Sequence, residues 1–396
     1  MLAHFPPVPL IIDHIDGEHH VLTPEDEEGI ILALQHRNRV RRIRIRKFVP
    51  ILQKLIIALD GEFPILEFLL IDNQRYHRPV IRHKKNMAFP ETFRASHVRE
   101  LVLDNFATSI ESPTLTTMGN LIRLDLWKIP SSAYFHPDVL LQRLSFMPQL
   151  ETLAIGFNFY NPRREVGLQT LIMTQVTLPN LRWLAFGGPS TYLEALLAWV
   201  TIPLLERLQV YLFNRMIYSI PHLRQITSTA RNLRLKTATF IFNENCLKLR
   251  AYPQIGARLY TLNMELGGKY LDWQVVSAAQ VFHALKTILS AVEHLTFKYN
   301  RHKISSEWSR QADRTHWREL LGSFDKVKNL RVEDGLIEQV SLALLAGEGE
   351  SPTELFPELQ ELSCPRRGVS RESSRAFTLL IEARQIAGRP ITVNRF

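Results

Sequence analysis

The nine residues Leu150-Glu151-Thr152-Leu153-Ala154-Ile155-Gly156-Phe157-Asn158 constrain this chain more than any other stretch. Apolar side chains stand at the first, fourth and sixth places, and Asn stands at the ninth. The spacing of the fourth and sixth places is strand period: it sends Leu153 and Ile155 to one face and Thr152 and Ala154 to the other. The Asn at the end suits the loop that follows, because its short amide can hydrogen-bond the turning backbone. A helix-like segment, Pro137 to Arg143, comes before, and Pro148 breaks it. One such unit cannot bury its apolar face alone, so it requires neighbours.

The neighbours are present. The same apolar triplet recurs as Val40-Ile43-Ile45, Ile65-Phe68-Leu70, Val98-Leu101-Leu103 and Leu121-Leu124-Leu126. After the opening example come Leu181-Leu184-Phe186, Leu205-Leu208-Val210, Leu235-Ala238-Phe240 and Leu259-Leu262-Met264. Val292-Leu295-Phe297, Val327-Leu330-Val332 and Leu359-Leu362-Cys364 complete a set of twelve, spaced 23 to 35 residues apart. Asn fills the ninth place at Asn73, Asn158, Asn243 and Asn300. Helix-like segments and Pro- or Gly-bearing turns precede nearly every triplet. This is the pattern of a leucine-rich repeat. The expected fold class is α/β: an irregular leucine-rich-repeat solenoid, with a curved parallel sheet on the concave side and helices on the convex side.

Residues 1–39 read as a strand–helix capping unit. Val8 to Ile12 is its strand; Thr23 caps a helix that has Pro24 at its first position and Glu25 to Glu28 at the positive end of its dipole. Residues 40–364 are the repeat array, with a basic insertion over 73–90. Residues 365–396 form a closing helix–strand cap. The region from Cys246 to Asp272 is less regular and has room for extra strands. The sharpest charge feature is Arg37, Arg39, Arg41, Arg42, Arg44, Arg46 and Lys47, with no acid among them. In Ile43-Arg44-Ile45-Arg46 the alternation puts the arginines outward, where bidentate contacts with carboxylates or phosphates become available. The competing reading is that acids of this chain neutralise the strip, or that water solvates it.

The 396 residues carry 48 Lys and Arg against 39 Asp and Glu, a formal charge of +9. That suits an acidic partner without naming one. With 45% hydrophobic and 22% charged residues the chain is globular. It has no apolar run long enough for a membrane span and no signal-like start, so no membrane partner is expected. Cys246 and Cys364 alone imply a reducing compartment, cytoplasmic or nuclear. None of the phosphate-binding, dinucleotide, zinc-protease or nucleophile-elbow motifs is present. His14, His19 and His20 crowd beside Asp13, Asp16 and Glu18, but they read as a solvated loop. No catalytic residue, metal or cofactor is expected.

Several phrases resemble a known family. Phe5-Pro6-Pro7-Val8-Pro9-Leu10, Glu25-Asp26-Glu27-Glu28-Gly29-Ile30 and His36-Arg37-Asn38-Arg39-Val40-Arg41-Arg42-Ile43 look like the body of fungal F-box leucine-rich-repeat proteins. Phe146-Met147-Pro148-Gln149-Leu150-Glu151-Thr152-Leu153 and Ala383-Arg384-Gln385-Ile386-Ala387-Gly388-Arg389-Pro390 are similar too. The resemblance covers nearly the whole chain and implies target recognition for a ubiquitin ligase. The family's F-box, an N-terminal helical segment opening on Leu-Pro, has no counterpart in these residues. Met1 falls where the region after it would begin. A Skp-type adaptor is therefore expected as a partner only where an F-box precedes, and no adaptor-binding residue carries over.

The expected function is a non-enzymatic protein-interaction module that holds a protein target, acidic in character, on its concave strands. Strand alternation selects Arg42, Arg44, Arg46, Arg123, Asp125 and Trp183 as the binding residues. The alternative is a basic solenoid that binds nucleic acid through the arginine strip and the 73–90 insertion, or another scaffold unrelated to ubiquitination. Single-strand binders interleave exposed aromatics with their cations, and this strip has none, so nucleic acid is the weaker reading.

Overall fold

The computed structural model describes residues 8–15, 23–47, 49–73, 87–158, 175–213, 219–300, 313–333, 335–345, 355–365 and 371–395. The chain forms two compact units, Met1–Leu204 and Leu205–Phe396. The basic insertion lies mostly outside the described residues.

In the first unit the order is β1 (Leu10–Ile15), α1 (Pro24–Gln35), β2 (Val40–Lys47), α2 (Val49–Ala58), β3 (Phe68–Asn73), β4 (Met87–Ala88), β5 (Glu100–Asp104) and β6 (Phe106–Ala107). Then come α3 (Pro113–Thr116), β7 (Arg123–Ile129), α4 (Pro137–Leu144), β8 (Thr152–Phe157), β9 (Val176–Thr177), β10 (Trp183–Gly188), α5 (Ser190–Leu197) and β11 (Val200–Thr201). The main sheet runs β1-β2-β3-β5-β7-β8-β10, parallel at every step. Two tiny parallel sheets, β4 with β6 and β9 with β11, line the return segments.

The repeat spacing produces this stack directly. Leu101, Leu124, Leu153 and Leu184 stand in one register row, with Leu103, Leu126, Ile155 and Phe186 in the next, and all are buried. At the entry to each strand a backbone N–H reaches the previous repeat: Ile122 to Arg99 (2.7 Å), Glu151 to Ile122 (2.8 Å) and Arg182 to Glu151 (2.9 Å). This staircase satisfies amides that would otherwise be orphaned where each turn becomes a strand. Helix α1 starts as the sequence predicts. Thr23 accepts from the Asp26 N–H at 3.2 Å while the Asp26 carboxylate accepts from the Thr23 N–H at 3.1 Å, a complete capping box.

The second unit contains β12 (Arg207–Leu212), α6 (Pro221–Thr229), β13 (Thr237–Phe242), β14 (Cys246–Tyr252), β15 (Leu262–Gly267), α7 (Leu271–Ala284) and α8 (Lys286–Leu289). It ends with β16 (His294–Tyr299), α9 (Arg314–Leu321), β17 (Asn329–Val332), α10 (Ile337–Leu344), β18 (Glu361–Cys364), α11 (Arg371–Ile386) and β19 (Thr392–Arg395). Its strand order is β12-β15-β14-β13-β16-β17-β18-β19. Strand β14 is antiparallel to both of its neighbours. The extra strand expected between Cys246 and Asp272 is thus present, and it reverses the local order: β12 pairs with β15, not with β13. Behind the sheet, Phe240 stacks on Phe297 at 5.1 Å and meets Phe282 edge-on at 5.2 Å, and Trp317 lies 5.6 Å from Phe242.

Mostly parallel strands in register, each followed by a helix or short turn on one side, make the chain an irregular α/β leucine-rich-repeat solenoid. Two triplets need correction. At β3 the buried apolar triplet is Leu66, just before the strand, with Leu69 and Ile71 in it, one place later than Ile65-Phe68-Leu70. A one-residue slip turns Phe68 and Leu70 outward and takes Asn73 out of the ninth place. In β15, Leu262 and Met264 are buried but Leu259 is exposed, because this strand is entered from a hairpin rather than a helix. The Asn role holds at Asn243, whose Oδ1 accepts from the N–H groups of Asn245 (3.0 Å) and Cys246 (2.9 Å). The loops after Asn158 and Asn300 lie outside the described residues.

Candidate interaction surface

Opposite the buried rows, the first unit's sheet presents three outward rows. The first is Arg42, Phe68, Glu100, Arg123, Thr152 and Trp183 on successive strands. The second is Asp13, Arg44, Leu70, Val102, Asp125, Ala154 and Ala185. The third includes Arg46, Asp72, Asp104 and Trp127, then Gly156 beside Gly187. All six residues selected from the sequence lie on this face. Arg123, Asp125 and Trp183 come together; Arg42, Arg44 and Arg46 lie on β2, three strand spacings from β7, or about 14 Å.

The arginines of β2 differ from one another. Arg46 pairs with Asp72 at 2.8 Å, Arg44 with Asp13 at 3.7 Å, and their neighbour Arg41 with Glu67 at 3.0 Å. These acids face the arginines from adjacent strands, so much of the strip's charge is neutralised within the sheet. Among the described residues Arg42 has no such carboxylate. Its guanidinium lies over the Phe68 ring, 4.1 Å from the centroid. Further along, Arg123 donates to Asp125 at 3.1 Å and sits 5.9 Å from the Trp183 ring. Burial raises the Asp125 carboxyl above its ordinary value, and the bond from Arg123 opposes the rise. Asp104 is raised in the same way, with Lys128 pulling against burial at 2.8 Å.

Three contributors were missed in the sequence reading. Phe68 was assigned to the core by the register slip. Trp127 continues the alternation that exposes Arg123 and Asp125, and its indole covers glycine: a Cβ on Gly156 would lie 2.6 Å from the ring and one on Gly187 3.2 Å from it. Lys128 adopts φ 53°, within a register shift between Leu126 and Ile129, and this local bend reaches Asp104.

The other sequence candidates carry no site. His14 lies within β1, and His19 and His20 fall outside the described residues. Among the described residues no group of His, Cys, Asp and Glu is placed to hold a metal ion. Both cysteines are buried, and burial pushes the Cys246 thiol up to about 11. No helix among the described residues is long and apolar enough to cross a membrane.

No family model matches the chain, and no curated protein matches it in sequence. Among solved structures it is similar to the leucine-rich repeat-containing protein LegL7 from Legionella pneumophila, at 11% identity over 76% of each chain with a TM-score of 0.28. At that TM-score the superposition carries no weight. The fold assignment rests on strand order, register and the buried rows.

Proposed function

We propose that this chain is a non-enzymatic protein-interaction module whose first unit binds a protein target on the outward face of its sheet. The observation that carries the reading is the composition of one sheet face, on which Arg42, Arg123 and Trp183 are half-exposed. A guanidinium without an ion-pair partner among the described residues is stacked on Phe68, and Arg123 is held between Asp125 and Trp183, with Leu70 between the two groups. Tryptophan, arginine and partly shielded aromatic rings are the residue types that concentrate binding energy at protein interfaces. Arg42, Arg44, Arg46, Arg123, Asp125 and Trp183 are the proposed contacts, and the target carries acidic groups opposite Arg42. The chain works in a reducing compartment, cytoplasmic or nuclear.

The test is quantitative recovery of partners from native cells by the wild-type chain, Arg42→Ala and Trp183→Ala. A true target is recovered by the wild type and falls at least about tenfold with either substitution, the loss expected of an interface anchor. Unfolding midpoints measured in parallel must stay close to wild type. Equal recovery by all three chains sinks this surface.

The finer reading is target recognition for an F-box-type ubiquitin ligase, supported by the phrase-level resemblance. Stable association of the natural protein with a Skp-type adaptor is its test. Target binding without any adaptor would discard the ligase role and leave the interaction module.

A further inference from the structure

The inserted strand β14 changes the chemistry of the second unit's outward face. Its sequence alternates: Leu247, Leu249 and Ala251 are fully buried, while Lys248 and Arg250 face outward. Lys248 is committed to Glu265, its register partner on β15, at 2.9 Å. Arg250 is exposed, and its register partners, Asn263 and Thr239, are uncharged. Continuing the same row across the sheet, Thr239 is followed by Thr296 and then Arg331. Among the described residues the hydroxyls of Thr239 and Thr296 have no hydrogen-bond partner within the chain.

The acids of this face are already engaged. Glu265 holds Lys248; Glu333 is shared by Lys298 at 3.4 Å and Arg331 at 4.0 Å; Glu361 accepts from Asn329, Ser363 and Asn394. Positive charge is therefore in excess, and Arg250 carries the part of it that no neighbour meets among the described residues. An arginine fork prefers a planar carboxylate that it can grip with two hydrogen bonds. The spacing narrows the occupant further. Arg250 and Arg331 are three strand spacings apart, about 14 Å, which is the span of about four residues of extended chain.

We propose that the row Arg250–Thr239–Thr296–Arg331 binds an acidic segment of a partner protein, extended across the strands, with carboxylates four residues apart. The carboxylates meet the two arginines, and the threonine hydroxyls donate to the backbone carbonyls between them. Arg331 stays in contact with Glu333 and supplies the second positive end. This surface belongs to the second unit and stands whether or not the first unit's face is a binding site.

The probe is a fluorescein-labelled peptide with Glu at every fourth position among Ser and Gly. It is compared, by anisotropy, with a peptide of the same composition whose glutamates are contiguous and with a single-stranded oligonucleotide of equal charge. The spaced peptide should bind more tightly than the other two. Arg250→Ala should weaken it about tenfold, the scale of a charge-assisted bidentate contact. Thr239→Val with Thr296→Val should weaken it less, and Arg207→Ala, which removes one positive charge from β12 outside the row, should change it less than about twofold. Thermal melts establish that each variant is folded. Absence of binding, equal effects of Arg207→Ala and Arg250→Ala, or tighter binding of the oligonucleotide would each overturn the proposal.

Discussion

Tyr192 is wholly buried against Phe157 at 4.9 Å and Phe186 at 5.7 Å, and among the described residues its hydroxyl has no hydrogen-bond partner. Burial, reinforced by Tyr134 and Asp138, holds its ionisation far above the usual tyrosine range, so the group is a neutral, desolvated polar atom. Such an atom costs roughly 1–3 kcal/mol of desolvation. Tyr192→Phe should therefore stabilise the protein by about 1 kcal/mol, read as a higher urea midpoint with an unchanged slope. A destabilised variant would mean that the hydroxyl has a partner after all. Residue-level facts of this kind were only half legible in the sequence. Period-two alternation correctly put Arg42, Arg44, Arg46, Arg123, Asp125 and Trp183 on one face. It could not tell that Arg44 and Arg46 meet carboxylates while Arg42 lies on a ring, because those acids come from strands 25 or more residues away in the chain. Arg250 escaped notice for a related reason. Its isolation depends on which strands flank β14, and that order does not follow the sequence.

Strands β7, β8 and β10 act together as a support for Trp127. The ring needs the bare backbone of Gly156 and Gly187 beneath it. Gly156→Ala would force the indole off this floor, because the new methyl would meet a rigid ring rather than the end of a flexible chain. The expected result is a loss of about 1–3 kcal/mol and a changed tryptophan emission spectrum. Gly29→Ala, in the interior of α1 where an added methyl meets nothing within 4 Å, is the contrast: it should leave the emission unchanged and stabilise the helix by about 0.5–1 kcal/mol. Stability and emission unaltered by Gly156→Ala would show that Trp127 is held elsewhere. The same scale shows where sequence reading slips. The stretch from Ile65 to Ile71 is apolar at nearly every position, so two registers satisfy the repeat equally and alternation cannot choose. The choice is made by neighbours already in place: Ile43 and Leu101 fix Leu69 between them. Where polar residues punctuate the strand, as in Arg123-Leu124-Asp125-Leu126, the register was readable at once.

At the scale of the whole molecule, two pairs of carboxylates have opposite effects on acid stability. Asp104 and Asp125 are raised by burial above 3.8, so in the window above that value the folded chain binds more protons than the unfolded one, and their effect on stability worsens as pH climbs. Glu293 is lowered by bonds from Lys236 and Lys328, and Glu361 by bonds from Asn394 and Ser363. Their stabilisation is complete above 4.5 and is lost as pH falls through their folded values. Glu293→Gln with Glu361→Gln should lower stability at neutral pH and flatten its decline below 4.5, as measured by urea midpoints across pH. An acid limb as steep as wild type would show that these contacts do not form in solution. The fold class was legible at this scale, because apolar triplets recurring along the chain can be buried together only by stacking, even though two of the twelve were misplaced. The reversed strand order was not, since hydrophobic period says nothing about which neighbour a strand chooses. That reversal has a kinetic consequence. The second unit cannot assemble by adding strands in the order of synthesis, because β12 meets its partner within that unit only after the chain has made β13 and β14 and turned back into β15. The hairpin of β13 and β14 closes a short loop and can form early, whereas β12 must wait for a distant segment and bear the larger closure entropy. Until β15 arrives, the pairing edge of β12 that it will occupy stays open, and this is the interval in which a newly made chain most needs protection from its own copies.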